Sequence, residues 1–332
     1  GPKHQLEQAR TMTSVSTNPQ LVLKTMPPRI PKTVAERPRL SSLRPEFADK
    51  YHLYAGLEAG FIFTAFNMDF PDFGYNPDPE RERRNKALRC AIIKGYDWQG
   101  RNESWYNGLG QVFPGIIVPA SPEFDPAQSR VSVTRDVAGA RKILRDAGWT
   151  PENLPKLVYG TTSGTTERLN FEQFRAWMRD IGFPREKVVQ KTYATFGDIS
   201  RAWKRNQLPL VAKGWGLDYP DAENTLQLFY GPNGSPGSND ANWENPEFDR
   251  LYEQAAVMQP SEERTRLYRR MNQIMIDDCV AMTGLSRTRI YLWHKDVIAV
   301  PDREILGGFW LKYVDVLPAK AAGTASPAAK DT

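Results

Sequence analysis

Apolar and polar positions along this chain change period repeatedly, and each change marks an element. Residues 60–68, "GFIFTAFNM", form an almost unbroken apolar run rich in aromatic side chains, which predicts a buried strand. "PERERRNKALRCAIIKGYD" (79–97) then reads as a helix with proline near its start. In "TRDVAGARKILRDAGW", Val137, Ala140, Ile143, Leu144 and Ala147 share one helical face, with Asp136 as N-cap and Gly148 just past the end. "KLVYGTT" predicts a strand. "TERLNFEQFRAWMRDIGF" predicts a helix whose apolar stripe is Leu169, Phe171, Phe174, Met178 and Ile181. "KVVQKTY", a short helix "GDISRAWKRN" and the strand "LPLVAKGW" follow. "NPEFDRLYEQAAVM" and "SEERTRLYRRMNQIMIDD" are helices, and "VAMTGLSRTRIYLWH" is extended. Strands alternating with crossover helices imply an α/β domain with a mixed or parallel sheet.

The two ends break the pattern. "KTMPPRIPKTVAERPRL" cannot form a long helix, so the first fifty residues read as loop and extended segments. The last fourteen, Ala319–Thr332, lack aromatic residues and are expected to be disordered. Gly1-Pro2 reads as a protease-cleavage scar, so the missing signal peptide says little about the compartment.

Composition narrows the function classes. The chain has 332 residues, 40% hydrophobic and 25% charged, enough for two lobes with their own cores. Its net charge is +5, but the basic residues are interspersed with acidic ones, which argues against a nucleic-acid partner. Three scattered histidines and two cysteines, Cys90 and Cys279, offer no metal spacing and no histidine-based dyad. No metal or cofactor is expected, and whether the cysteines pair stays open. No apolar run reaches the length of a membrane-spanning helix.

Two stretches invite chemistry. "YGTTSGTTE" lacks the lysine of a phosphate-binding loop and the frame of a serine nucleophile. It reads as a strand-to-helix loop whose Thr and Ser cap the next helix. "GWGLDYPDAENTLQLF" (214–229) carries Asp218, Asp221, Glu223 and Asn224 without calcium-loop spacing. Asp221 reads as a cap for a helix starting near Ala222. Asp218, three residues after Trp215 and directly after a buried strand, is where a charged ligand group could be met.

The order of these pieces resembles the C-terminal half of the family 5 bacterial extracellular solute-binding proteins, the dipeptide and oligopeptide receptors of ABC transporters. "FIFTAFNM" is similar to a crossing strand, "NKALRCAIIKGYDWQ" and "DVAGARKILRDAGW" to two helices, and "WYNGLGQVFPGIIVP" to the loop between them. "GWGLDYPDAENTLQLFY" is similar to the signature W-x-x-D-Y-x-D-P-x-x-F-L. The two late helices complete the match, which covers about residues 50–315.

The resemblance implies a periplasmic-binding-protein-like α/β fold (class II, cluster C), two lobes closing on a ligand. Residues 1–63 would belong in part to the first lobe, 64–280 to the C-terminal ligand-binding lobe and 281–318 to the hinge strand and return. The core of the N-terminal lobe would be absent and supplied by the rest of the protein or another chain. The implied function is delivery of a peptide or other small solute to an ABC permease, from the periplasm or from an extracellular, membrane-associated position, without catalysis. Carried over by position, Asp218 would pair with a ligand ammonium, Trp215 and Tyr219 would line the site, and Asn67 would contact ligand backbone or order the hinge. Lys213 would meet a ligand carboxylate if its strand is regular enough to place it on the face of Trp215. A second reading, a repurposed lobe serving as an interaction or structural subunit, stays open beside it.

Overall fold

The computed structural model describes residues 43–298 and 315–317. The expectations for residues 1–42 and for the tail 319–332 lie outside this range. The chain divides into two units, one gathering the residues before 57 and after 288, the other Leu57–Thr288.

Within the first unit, helix α1 (Pro45–Ala48) is a single turn, and strand β1 (Tyr51–Leu57) pairs with β8 (Thr288–His294). Rings dress this ladder: Tyr54 packs on Tyr291, and Tyr291 stacks on Trp293. Two short strands, β9 (Val297–Ile298) and β10 (Asp315–Val316), pair antiparallel.

The second unit is built on a six-stranded mixed sheet ordered β3-β7-β2-β6-β4-β5. Its strands are β2 (Gly60–Phe66), β3 (Gln111–Val112), β4 (Leu157–Thr162), β5 (Val188–Tyr193), β6 (Leu210–Gly216) and β7 (Ala281–Ser286). β4 runs parallel to β5 and to β6, whereas β2 is antiparallel to both β6 and β7. The helices are α2 (Pro79–Gly95), α3 (Trp98–Tyr106), α4 (Val137–Asp146), α5 (Thr165–Ile181), α6 (Phe196–Lys204), α7 (Glu223–Leu226), α8 (Pro246–Ala256) and α9 (Glu262–Asp277).

Caps set the helix boundaries. Asp78 accepts from the Glu80 N–H ahead of Pro79, and Asp136 accepts from Gly139. Gly148 follows α4 at φ +72°, a left-handed conformation that glycine adopts without steric cost. The Thr and Ser residues of "TTSGTT" do not cap α5: Gly164 is its N-cap and no side chain bonds there. One face of the sheet packs on α2, α4 and α5 through Leu157, Leu210, Leu88, Ile92, Leu144, Phe174 and Met178. Leu169, expected on that stripe, is instead 45% exposed, and Trp177 is buried. At about 100° per residue, Leu169 lies roughly 140° from the centre of the buried face, while Trp177 lies within it.

Strand alternation sends Phe61 and Phe63 to the opposite face. There a chain of aromatic contacts runs from Phe61–Phe63 through Phe229 and Trp243 to Phe248 on α8. Cys90 on α2 and Cys279 just beyond α9 form a disulfide with their Cα atoms 5.1 Å apart, across 189 residues of sequence. Arg89 braces the same junction, donating to the carbonyls of Phe73, Asp278 and Cys279.

Candidate functional site

β6 pairs with β2 from Leu210↔Phe66 to Gly216↔Gly60 without a break in register. The strand is therefore regular, and Lys213 and Trp215 stand on one face. Just beyond the two ends of this ladder, Leu217 N–H bonds to Ala59 O and Asn67 N–H to Pro209 O. Bonded pairs alternate along an antiparallel ladder, so Val211, Lys213 and Trp215 bond to β2. The N–H and C=O groups of Ala212, Gly214 and Gly216 consequently point the other way, toward β4.

There β4 runs out. Tyr159 is level with Leu210, so Thr162, the last residue of β4, is level with Lys213 (159 + 3 and 210 + 3). Gly214–Gly216 continue past it, both glycines are exposed, and a Cβ on Gly216 would meet nothing within 4 Å. Among the described residues no strand pairs with this stretch on that side. The result is a short ledge of open main chain ending in the 217–222 loop.

One buried side chain ties the loop to the strand. Asn224, 1% exposed, accepts from Trp215 Nε1 (2.9 Å) and from the Asp218 N–H (3.3 Å), and its amide donates to Asp218 Oδ2 (3.3 Å). Asp218 is exposed, Trp215 half-buried and Tyr219 43% exposed. Tyr219 and Tyr252 both donate their hydroxyls to Glu223. That carboxylate and burial together hold both phenols above their usual range, so they stay neutral donors.

Beneath the loop lies an ionic footing. Arg264 grips Asp221 with both terminal nitrogens (2.6 and 3.2 Å), donates to Ala255 O and lies 4.7 Å over the Tyr268 ring. Asp221 also accepts from the Glu223 N–H, but the N-cap position of α7 is Ala222, one residue later than expected, and no side chain caps it. Glu123, 6% exposed, accepts from the Ala222 N–H and lies 3.9 Å from Arg264. Desolvation, with Asp221 adding to it, raises the Glu123 carboxyl above its usual range. A carboxyl whose pKa is raised on folding costs stability once ionised, so this cost appears as pH rises through its folded value and vanishes in acid. Glu123→Gln keeps the acceptor for Ala222 and removes the ionisation. Thermal denaturation between pH 4 and 8 should show the variant gaining on the wild type as pH rises; a constant difference would contradict this.

The remaining expected residues form a second cluster. Lys213 is paired with Asp240 and lies 5.8 Å from the Trp203 ring, so its charge is already met inside the chain. Trp203 donates to Asp240 O, and Asn67 donates to Trp203 O and to Asn206. Asn67 is fully buried, its carbonyl taken by the Asp69 N–H. The structure thus gathers Trp215, Asp218 and Tyr219 at one end of β6, and Lys213 with Asn67 in a separate buried network. Sequence reading gave no role in the site to Asn224, Glu123 or Arg264. A polar residue in the first turn of a predicted helix beside two surface carboxylates was a signal for Asn224, whereas the other two approach from far along the chain.

Residues 9–237 match the family described as bacterial extracellular solute-binding proteins, family 5 Middle. The match begins earlier than the resemblance drawn from motifs and ends before α8. Di/tripeptide-binding protein 1 of Pseudomonas aeruginosa is 25% identical over 240 residues, 71% of this chain and 41% of that protein. Oligopeptide-binding protein OppA of Bacillus subtilis is 40% identical over 208 residues, 58% of this chain and 36% of its own. The chain therefore spans well under half the length of these relatives. Among solved structures, the ABC transporter-associated periplasmic binding protein DppA of Helicobacter pylori, in complex with the peptide STSA, superposes with a TM-score of 0.63 at 18% identity. The match covers 80% of this chain and 49% of that one. The murein tripeptide binding protein MppA of Escherichia coli gives 0.61 at 16%, covering 75% and 47%. These likenesses establish the shared fold, and the match over residues 9–237 goes further: this chain belongs to the family 5 bacterial extracellular solute-binding proteins.

Proposed function

We propose that the protein is the peptide-binding component of an ABC importer, and that Gly214–Asp218 is where this lobe holds its ligand. The observation that carries this reading is the juxtaposition at the end of β6. Open main-chain donors and acceptors at Gly214 and Gly216 lead directly to an exposed carboxylate, Asp218, beside an indole. An extended peptide can add to a sheet edge through its backbone, and its terminal ammonium then needs a fixed anion at the strand end. Relatives whose names state di/tripeptide or oligopeptide binding support the ligand class. A second lobe, from the rest of the protein or another chain, covers the ligand, and an ABC permease receives it. Within this lobe the pairing of Lys213 with Asp240 leaves the ligand carboxylate to be met elsewhere.

The Cys90–Cys279 disulfide supports a location outside the reducing cytoplasm, in the periplasm or at the outer membrane surface. No helix among the described residues is long and apolar enough to cross a membrane.

Calorimetry on the full-length protein tests the reading. Asp218→Asn should weaken a tripeptide with a free amino terminus by about 10- to 150-fold, the loss of a hydrogen bond to a charged group. The N-acetylated tripeptide should bind the wild type and the variant alike. Equal binding of the free peptide to both proteins removes Asp218 as the anchor. If mass spectrometry finds no peptide on the natively purified protein and none binds on titration, the lobe is an interaction or structural subunit instead.

A further inference from the structure

The Trp215–Asp218 pair owes its geometry to one buried side chain, Asn224. We infer that Asn224 is the positioning residue of the ammonium site, holding the indole of Trp215 and the carboxylate of Asp218 in one fixed arrangement. This rests on the peptide-binding reading above for its functional consequence, but not for its structural content.

The chemistry of the three partners dictates the residue. The indole N–H and the Asp218 backbone N–H are both donors, and one oxygen, Asn224 Oδ1, receives them at 2.9 and 3.3 Å. The Asp218 carboxylate only accepts, and Asn224 Nδ2 supplies its donor at 3.3 Å. The partners therefore fix which way the amide faces. Leucine, of similar size, makes none of these bonds. Aspartate keeps the acceptor for the two N–H groups but has no donor for Asp218. Asparagine alone among side chains of this size offers both.

Placement makes the amide rigid. Asn224 is 1% exposed on the first turn of α7, between the buried Ala222 and Leu226, and the Ala222 N–H is held by Glu123 from 99 residues away. An exposed carboxylate on a loop samples several rotamers, and an ion pair must then pay for ordering it. A buried amide bonded to both its backbone and its side chain does that ordering before the ligand arrives, the condition under which a charged contact gains affinity and selectivity. The same amide orients Trp215, so the aromatic wall and the anion move as one body.

The test has two arms. In ligand-free protein labelled with nitrogen-15, the Trp215 indole N–H is assigned by its loss in Trp215→Phe. Asn224→Leu should shift that resonance and speed its exchange with water about tenfold or more, while Asn224→Asp, which keeps the acceptor, should leave it near its wild-type position. In the second arm, the preference of the full-length protein for a free-amine tripeptide over its N-acetylated form is measured by calorimetry. Asn224→Leu should lower that preference about tenfold, with little change for the acetylated peptide. An unmoved Trp215 resonance in Asn224→Leu overturns the inference, as does an equal shift in both variants, which would mark general loosening. If the resonances behave as expected but the wild type shows no preference for the free amine, the positioning stands and the peptide reading fails.

Discussion

Replacing Arg264 with methionine is expected to cost about 3 kcal/mol of folding stability at neutral pH, the lower end of the range for removing one partner of a buried ion pair. Arg264 is the cation shared by Asp221 and Glu123, and its guanidinium side chain is nearly inaccessible. Methionine fills much of the same space against Tyr268 but leaves two carboxylates facing each other without a counter-charge. The lost energy is electrostatic rather than steric. It should shrink as pH falls and the carboxylates take up protons, because the stranded pair can then become neutral. Calorimetric melting at pH 7 should show a fall of about 5–10 °C. Adding Asp221→Asn to Arg264→Met should recover part of it, since the two residues share one interaction. A melting temperature within about 2 °C of the wild type would mean that the footing carries little weight. On the proposed reading, peptide affinity should fall along with stability, because the loop bearing Asp218 stands on this footing.

Removing the Cys90–Cys279 bridge should cost a similar amount, about 3–5 kcal/mol. The bond closes a loop of 189 residues, and closure entropy grows with loop length, so the unfolded chain gains much freedom when it is cut. The double variant Cys90→Ser/Cys279→Ser is the cleaner experiment, because a single change leaves a free thiol. Urea denaturation of oxidised wild type and double variant measures the difference. Equal midpoints would show that α2 and the end of α9 are held by other means, for example by Arg89 and the Lys86–Asp278 pair.

Local signals in the sequence were strong enough to place most elements. Apolar and β-branched runs located β2, β4, β5 and β6, and Asp136 and Gly148 stand where side-chain chemistry put them. Leu169 went astray because the eye accepts any apolar residue near a stripe, whereas the helix enforces its angle. The site divides in the same way. Trp215, Asp218 and Tyr219 are near neighbours in sequence, and the strand end gathers them. Lys213 was read with them because its neighbour Asp240, which neutralises it, lies 27 residues later in an irregular segment. The footing was illegible for the same reason: Glu123 and Arg264 reach Asp221 from 98 and 43 residues away, and no local pattern encodes that meeting. The disulfide is the extreme case, since spacing along a chain does not report distance in space.

The ledge at Gly214–Gly216 has a cost outside recognition. Any uncovered strand edge is a template for another copy of the protein. Here the open run is only Gly214–Gly216, two of its three residues glycine, and the buried Leu217 and exposed Asp218 follow it. Glycines pack poorly across a sheet, and so short a run closes few bonds, so intermolecular pairing finds little to build on. On the proposed reading, the features that leave room for a small extended ligand also keep the protein from assembling through this edge.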